Sequence, residues 1–578
     1  DVEPRKETHV VVELDAAELS REPSVRYRGF FINDEWPAFG RWATEQFGGV
    51  NAKAYERVFE LLLRLKGNYL WPAMWSSSFW QEGPGLLSAE LADELGVIMG
   101  TSHHEPLCRA GVEWQQQYAK YSESNAWNFS TNEKGITQFW KEGLERSKGL
   151  ENVITIGMRG ESDSKLLSQD ATMADNIAVL KNAIRVQHEL IRNTINSDLS
   201  AVPRMLAIYK EVEDFFFGDE SCEGLRHWDE LEDVLFLLAD DNFGNLRSLP
   251  PGPHAGGYGM YYHFDYHGAP VSYEWQNSVR LPKIWEQMSR AWEAGVREMW
   301  IVNVGDIKGV EYPLNYFMDL AYDIDRWGAG NLDSSAAYAK RWMDVQFGER
   351  LSAVQKQEIL TVLEGFSKWN ALRRPEAMSP KIYHPFHYNE AERVWIEISD
   401  LLARADVLKE TLPEDCQAAY RSMVYYPAAA SMNNIMINLE AGWNAALAMR
   451  GCVSANRYRD AIRSRIQKDS DLIAAFHAFK GGKWNHMMDS AHSCFRSWDD
   501  HDWTWPSIHE VVPFQKGKIC AAFRGDSRYS LGEHWQDNTP LSNDAFTRPG
   551  LGEVVFDIDS RGALPFDYTL EMDSPWLS

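Results

Sequence analysis

Two carboxylates carry the strongest chemical signal in this sequence. Asp163 ends the segment VITIGMRGESD and Glu211 lies in RMLAIYKEVE, so each acid follows a short apolar run. Paired carboxylates that face each other across a sugar hydrolyse glycosides: one donates a proton to the leaving oxygen, and the other activates water or attacks the sugar carbon. The competing interpretation is two solvated loop residues. The pair therefore predicts acid–base chemistry on a sugar.

Two cations lie beside these acids. Arg159 precedes Asp163 by four residues, and Lys210 directly precedes Glu211. They would either stabilise the ionised form of their neighbours or bind a carboxylate of the substrate through charge-assisted hydrogen bonds. The formal net charge of −26 repels an acidic substrate at long range, so these cations would act only locally.

The same pattern, an apolar run followed by polar residues, occurs eight times before residue 310. Structural constraint alone gives little reason to place acids, histidines and tryptophans after so many runs, so we expect these residues to line one pocket. They are Asn33, Asp34, Glu35, Trp71, Trp75, His103, His104, Glu105, Arg159, Glu161, Asp163, Lys210, Glu211, Glu213, Asp240, Asp241, Asn242, His263, Asp265, Tyr266, His267, Asn303, Asp306 and Lys308.

A metal site is the less favoured alternative at this pocket. His103 and His104 with Glu105, or Asp240 and Asp241, are residue types that bind metal ions. Adjacent histidines on a strand point to opposite faces, however, so at most one of the two is expected to face the pocket. We predict no metal and no cofactor.

The elements that position these residues read as alternating strands and helices. The eight runs lie in segments 28–35, 67–75, 95–105, 153–163, 204–213, 234–242, 259–268 and 298–308. Most gaps between them have helical spacing, whereas the gap at 243–258 reads as loop. Eight such units predict a (β/α)8 TIM barrel over 25–330, with the pocket at the carboxyl ends of its strands. An open doubly wound sheet is the alternative, but no glycine-rich dinucleotide fingerprint follows the first strand.

The remainder of the chain divides into three parts. Residues 1–24 form an entry segment, and 331–505 read as a mainly helical domain. Residues 506–578 are loop-rich and lead into a C-terminal β-sandwich that we expect to be truncated. Within them, EVVFDIDSR and DYTLEMDS have the composition of strands.

Composition excludes several functional classes. The strong negative charge disfavours binding to nucleic acid or to an anionic membrane, and no apolar run approaches the roughly 18 residues of a membrane helix. The six cysteines form no CxxC pair, so we expect free thiols. The 24 tryptophans and 23 tyrosines are a mild indication of carbohydrate, because flat rings pack on sugar faces.

Seven ordered motifs resemble those of glycoside hydrolase family 115, the xylan α-1,2-glucuronidases. They are RGFFINDEWP, KGNYLWPAMW, TSHHEP, GMRGESD, YKEV, YYHFDYHGAP and IVNVGDIKGVEYPLNYFMDLAYD. The resemblance implies an inverting hydrolase that removes glucuronic or 4-O-methylglucuronic acid from glucuronoxylan. It also implies a barrel followed by a helical domain, and a homodimer. We expect an extracellular, secreted protein.

The resemblance also implies roles for individual residues. Asp163 would be the general base and Glu211 the general acid, with Glu161 and Asp265 as alternatives from the same motifs. The uronate pocket would comprise Glu35, His104, Arg159, His263, Tyr266 and Asn303, and we place Trp71 and Lys210 beside them. Two other functions stay open: a different, retaining barrel hydrolase, and a catalytically inactive sugar-binding protein.

Overall fold

The computed structural model describes residues 20–33, 35–160, 167, 171–493, 504–531, 540–547 and 553–575, with the single residues 9, 11 and 13. Its centre is one sheet of eight parallel strands, each of which overlaps one of the eight apolar segments. The strands are β1 Tyr27–Phe31, β2 Tyr69–Trp71, β3 Ile98–Met99, β4 Ile154–Ile156, β5 Arg204–Ala207, β6 Leu235–Ala239, β7 Tyr258–His263 and β8 Val296–Asn303.

The sheet is curled. Its order is β3-β2-β1-β8-β7-β6-β5-β4, so β1 pairs with β8, and the two edge strands are the consecutive strands β3 and β4. A parallel bridge between Met99 and Asn152 joins these edges, and Val153 donates its backbone N–H to the Met99 carbonyl at 2.9 Å. Because all eight strands are parallel, their carboxyl ends lie at one edge of the sheet, and the curl brings these ends around a common centre.

Helices cover the outer face of the sheet. Their amphipathic pattern explains their packing: Asn51 caps α2 by accepting from the backbone N–H of Lys53, and the apolar face of α2 is buried. They are α1 Ala38–Phe47, α2 Ala52–Arg64, α3 Leu87–Glu94, α4 Gly111–Gln117, α5 Phe129–Ser147, α6 Met173–Thr194, α7 Glu211–Phe217, α8 Leu281–Glu293, α9 Glu311–Tyr322 and α10 Ile324–Trp327.

The inner face of the sheet is filled by large side chains. Phe31, Trp71 and Tyr261 form one aromatic group there, with the Phe31 and Trp71 ring centroids 5.4 Å apart. Trp71 is fully buried, and its indole N–H donates to the Tyr69 hydroxyl at 2.8 Å. The structure therefore places Trp71 inside the curled sheet, and not at an open surface where it could stack on a sugar.

Helices predominate from residue 334 onwards. The helical composition predicted for 331–505 is confirmed up to residue 478. The helices are α11 Ser334–Phe347, α12 Ala353–Leu372, α13 Glu390–Thr411, α14 Glu414–Tyr420, α15 Tyr426–Met449 and α16 Ala455–Ala478. No helix in the described parts of the chain is both long and apolar enough to cross a membrane.

A small antiparallel pair lies near the end of the chain. β9, Ile519–Phe523, pairs with β10, Phe556–Ser560, and β10 lies within the predicted strand EVVFDIDSR. The second predicted strand, DYTLEMDS, is wrong, because residues 567–574 have no regular secondary structure. Five cysteines are free thiols, whereas Cys494 lies outside the described residues.

Candidate functional site

The centre of the candidate site is an ion pair between the ends of neighbouring strands. Arg159 follows β4, and Glu211 is the first residue of α7 after β5. Arg159 Nε lies 2.9 Å from Glu211 Oε1, and Arg159 Nη2 lies 2.8 Å from Oε2, so the contact is bidentate. The Arg159 side chain is 3% exposed and that of Glu211 is 16% exposed. The cation and one predicted catalytic acid therefore meet in a sheltered position.

Lys210 makes the turn that brings Glu211 to Arg159. Its backbone has φ +50° and ψ −125°, a left-handed conformation that is strained for a side chain with a Cβ. Its amine lies 5.4 Å from the ring centroid of Tyr209 and 5.5 Å from that of Tyr266. Burial lowers the pKa of Lys210 to about 8; Arg159 lowers it as well, and Glu211 opposes them.

The two adjacent histidines lie together at this site. Contrary to the expectation of opposite faces, they occupy a turn after β3, and their ring centroids are 4.2 Å apart. His104 Nε2 is 3.4 Å from Arg159 Nη1, and the His104 ring lies 5.1 Å from that of Trp75. Burial lowers the pKa of both histidines well below the usual range, and nearby Arg159 and Lys210 lower it further. Both rings are therefore neutral near pH 7.

His263 is held by a buried carboxylate. Its Nδ1 lies 2.5 Å from Asp240 Oδ1, and its ring stacks on Tyr209 at a centroid distance of 5.8 Å. Asp240 also accepts the backbone N–H groups of Asn242 and Gly244, each at 3.0 Å. This arrangement fixes Nδ1–H toward the acid, so that Nε2 is the nitrogen available to a ligand. Tyr266 lies edge-on to His263 at 5.9 Å.

Glu35 binds the loop after β2. Its carboxylate accepts the backbone N–H of Trp75 and that of Ser76, the latter at 2.7 Å, and the Ser77 hydroxyl at 3.3 Å. Burial raises the pKa of Glu35 to about 7, against these donors. The Trp75 indole N–H donates to Asn33 Oδ1 at 3.1 Å. Glu35 thus positions Trp75, the ring beside His104.

Asn303 and Asp265 are both fully buried. Asn303 ends β8 and accepts the backbone N–H of Gly305 at 3.0 Å. Burial raises the pKa of Asp265 well above its usual range, and Asp306 and Glu376 raise it further, against the amides of Asn303 and Asn33. Asp265 thus lies near other acids, and His267 Nε2 is 3.5 Å from its Oδ1.

Asp163, the second predicted acid, lies outside the described residues, and so do Asp34 and Glu161. Among the residues that are described, no group of three or more His, Cys, Asp or Glu side chains is placed to hold a metal ion.

Two residues of the site were not identified in the sequence. Tyr209 contacts His103, His263 and Lys210, and its place as the first residue of the motif YKEV was an available signal. Trp127 donates its indole N–H to the Arg159 carbonyl at 3.1 Å. It also lines a cavity of about 60 Å³ beside Trp75 and His104. No local pattern marks Trp127, because it lies in a long loop before α5.

Comparison with known proteins identifies the family. The sequence model of glycosyl hydrolase family 115 matches residues 20–377, more than half of the chain. No curated protein sequence matches. A solved structure described as a family GH115 4-O-methyl-α-glucuronidase, BtGH115A, with specificity for decorated arabinogalactans, is similar at 27% identity and a TM-score of 0.70.

The chain is shorter than that protein. The similarity covers 86% of this chain and 66% of BtGH115A, so the chain spans just under two thirds of its length. The structure of CpGH84B is much less similar, with 12% identity, a TM-score of 0.38, and coverage of 80% of this chain and 75% of that one. On the match of the family model, the chain belongs to glycosyl hydrolase family 115.

Proposed function

We propose that the protein is an inverting α-glucuronidase that removes glucuronic or 4-O-methylglucuronic acid from a polysaccharide. The observation that carries this proposal is the sheltered pair of Arg159 and Glu211, with Lys210 adjoining it, in a chain of this family. Arginine and lysine recognise a uronate carboxylate through charge-assisted bonds. The half-enclosed position lets them act although the protein as a whole repels anions.

The ion pair suggests how the acid is activated. Both carboxylate oxygens of Glu211 accept hydrogen bonds from Arg159, whereas a general acid must carry a proton on one of them. The substrate resolves this conflict if its own carboxylate binds Arg159 and displaces Glu211. The released Glu211 then takes a proton from water and donates it to the glycosidic oxygen as the bond to the anomeric carbon breaks. Binding of the correct substrate would thereby prepare the acid.

The remaining steps are assigned as follows. Asp163 accepts a proton from a water molecule that attacks the anomeric carbon from the opposite face, which inverts the configuration. His263 and Tyr266 bind sugar hydroxyls, and Asn303 supports this end of the pocket. In this proposal the curled sheet is a closed (β/α)8 barrel, and the Met99–Asn152 bridge between its edge strands supports that closure. Residues 331–505 then form a separate helical domain.

Two polysaccharides are candidate substrates. The sequence motifs favour glucuronoxylan as the substrate. The specificity given for the similar protein BtGH115A favours a decorated arabinogalactan. A homodimer and an extracellular location also stay predictions.

Product analysis tests the proposal. We would incubate the full chain with glucuronoxylan and with glucuronic acid-decorated arabinogalactan, and follow the released acid by ¹H NMR at early times. The expected first product is the β-anomer, because the α-linkage is inverted. An α-anomer as the first product would show a retaining mechanism instead of an inverting one. If neither polysaccharide releases uronic acid, the proposed hydrolase function is refuted.

A further inference from the structure

A large cavity lies far along the chain from the curled sheet. It is about 810 Å³ in volume, within the range typical of ligand sites. Its walls come from the loop before α13, from α13, α15 and α16, and from the pair β9 and β10. The strands are joined to this wall directly, since Val453 donates its backbone N–H to the Ser560 carbonyl at 2.7 Å.

Four half-buried aromatic residues line this cavity: Phe386, Trp395, Trp443 and Tyr458. The rings of Trp443 and Tyr458 lie 5.4 Å apart at an interplanar angle of 31°. Each is fixed at its polar end, because Trp443 donates to the Pro385 carbonyl at 2.9 Å and Tyr458 accepts from Arg457 at 2.9 Å. Fixed rings with partly accessible faces are suited to packing on sugar rings.

A buried carboxylate of the cavity wall has an unsatisfied oxygen. Glu440 is 5% exposed, and its Oε1 accepts from Arg465 Nε at 2.8 Å. Its Oε2 has no hydrogen-bond partner of normal geometry among the described residues, but the Trp395 indole lies close enough to act on the carboxyl group as a donor. An unsatisfied buried acceptor is costly, and a hydroxyl group of a ligand would satisfy it. Glu440 therefore indicates a ligand that donates hydrogen bonds.

The charges of the wall argue against an anionic ligand. Arg524 is bound to Asp557 at 2.7 Å, and Arg450 stacks on Phe386 at 3.9 Å. The carboxylates also outnumber the guanidinium groups: the wall contains Glu392, Glu440, Asp557 and Asp559 against Arg450, Arg457 and Arg524. A neutral, hydroxyl-rich molecule fits this balance better than a uronate does.

We propose that this cavity is a second carbohydrate-binding site, which binds neutral sugar residues of the polysaccharide backbone. The choice of ligand class rests on the proposed function, whereas the site itself rests on Trp443, Tyr458 and Glu440. Binding the backbone here would raise the effective concentration of a long polymer at the Arg159–Glu211 site. Short substrates cannot span both sites and would gain nothing.

Binding of unsubstituted oligosaccharides tests the site. Xylohexaose and a galactohexaose represent the two backbones, and neither carries a uronate that the enzyme could release. We would titrate each into the full chain by calorimetry, using the wild type, Trp443→Ala, Tyr458→Ala and Tyr568→Ala. Tyr568 is an exposed aromatic residue of the C-terminal region that does not line the cavity, so it is the matched control.

We expect one of the two oligosaccharides to bind, with the affinity reduced about tenfold or more in Trp443→Ala and Tyr458→Ala but unchanged in Tyr568→Ala. Hydrolysis of a short uronate-bearing oligosaccharide should stay within about twofold of wild type in the two cavity variants, whereas hydrolysis of the polymer falls several-fold. If circular dichroism shows that Trp443→Ala is unfolded, Tyr458→Ala and the ring-preserving Trp443→Phe decide.

Two results would overturn the proposal: no binding of either oligosaccharide to the wild type, or equal binding by the cavity variants and Tyr568→Ala. These results are independent of catalysis. A wild type that binds xylohexaose through Trp443 but releases no uronate would refute the proposed function and leave this site established. An enzyme that releases uronate but binds neither oligosaccharide would support the proposed function and refute this second site.

Discussion

Arg159 binds both carboxylate oxygens of Glu211, at 2.9 and 2.8 Å, and so joins the ends of two adjacent strands. In the proposed function this pair lies where the uronate meets the catalytic acid, so the substrate and Glu211 would compete for one guanidinium group. Substituting Arg159 and Glu211 one at a time tests the role of each partner in this contact.

Arg159→Ala is expected to weaken uronate binding more than neutral-sugar binding. The charge-assisted bonds to the carboxylate are lost, at a cost of about tenfold or more, whereas contacts to sugar hydroxyls remain. Inhibition constants for glucuronic acid and for xylose measure the two losses separately. Arg159→Lys keeps the charge without the bidentate geometry, so its loss of uronate affinity should lie between that of Arg159→Ala and the wild type. Equal losses for both sugars would refute the carboxylate contact.

Asp163→Ala and Glu211→Ala should each lower kcat by at least about 10²-fold, the scale of a positioned acid or base. Steady-state kinetics on a uronate-bearing oligosaccharide provides the measurement. Glu213→Ala is the control: Glu213 lies in the same helix, but its carboxylate pairs with Arg247 at 2.6 Å. Turnover near that of the wild type in either catalytic variant would remove that residue from its role, with Glu161 or Asp265 next to be tested.

Lys210 should make the affinity for a uronate substrate fall at alkaline pH, which gives the pH profile of binding a basic limb. Its pKa of about 8 means that the amine is charged below that pH and becomes neutral above it. KM for a uronate substrate should therefore rise as the pH passes about 8, and Lys210→Met should have a higher KM without this limb. Binding of a neutral sugar, followed over the same pH range, is the control. A basic limb that persists unchanged in Lys210→Met would assign the titration to another group.

Asp240 acts as a positioning residue for His263. Asp240→Asn replaces an acceptor for Nδ1–H by an amide, so the imidazole loses its fixed tautomer, and we expect kcat/KM to fall about 10- to 100-fold. The ¹⁵N NMR shifts of His263 report the tautomer directly, which a merely structural effect would leave unchanged. Asp241→Asn is the matched control, since Asp241 accepts from Phe243 and Asn245 and not from His263. An unchanged His263 spectrum in Asp240→Asn would contradict the role.

The sequence predicted the strands well because buried parallel strands are continuous apolar runs, and all eight occur where such runs stand. It could not predict side-chain direction at the strand ends. Trp71 turns into the sheet interior, and His103 and His104 share one side because they lie in a turn. Nor did it reveal β9, whose run is only five residues and whose partner lies more than thirty residues further along the chain.

The role of Glu35 shows the same limit. The sequence predicted Glu35 as a substrate ligand after the first strand, and nothing in the sequence pointed to a second role. In the structure its oxygens accept the backbone N–H groups of residues that follow the next strand, forty residues away. Such a contact depends on the pairing of β1 with β2, which no local pattern encodes. The consequence is a prediction about stability.

Glu35 should make folding stability fall as the pH rises. Its pKa is about 7 in the folded protein against an ordinary value of 4.5, so between these values the folded state binds the proton that the unfolded state releases. The stabilisation is complete below about pH 4.5 and is lost as the pH rises through 7. Glu35→Gln cannot titrate, and it also loses an acceptor for the Trp75 and Ser76 amides, which costs stability at every pH.

The diagnostic quantity is therefore the difference in unfolding free energy between the wild type and Glu35→Gln, measured by urea denaturation at pH 5 and pH 8. We expect the unfolding free energy of the wild type, relative to that of Glu35→Gln, to decrease by roughly 1–3 kcal/mol from pH 5 to pH 8, since each pKa unit corresponds to about 1.4 kcal/mol. Taking a difference cancels the opposite trend of the buried histidines, which stabilise the fold as the pH rises. Glu133→Gln, at an exposed position of α5, should show no such change. A difference that is constant between pH 5 and pH 8 would mean that Glu35 stays ionised, held by the loop amides in spite of its burial.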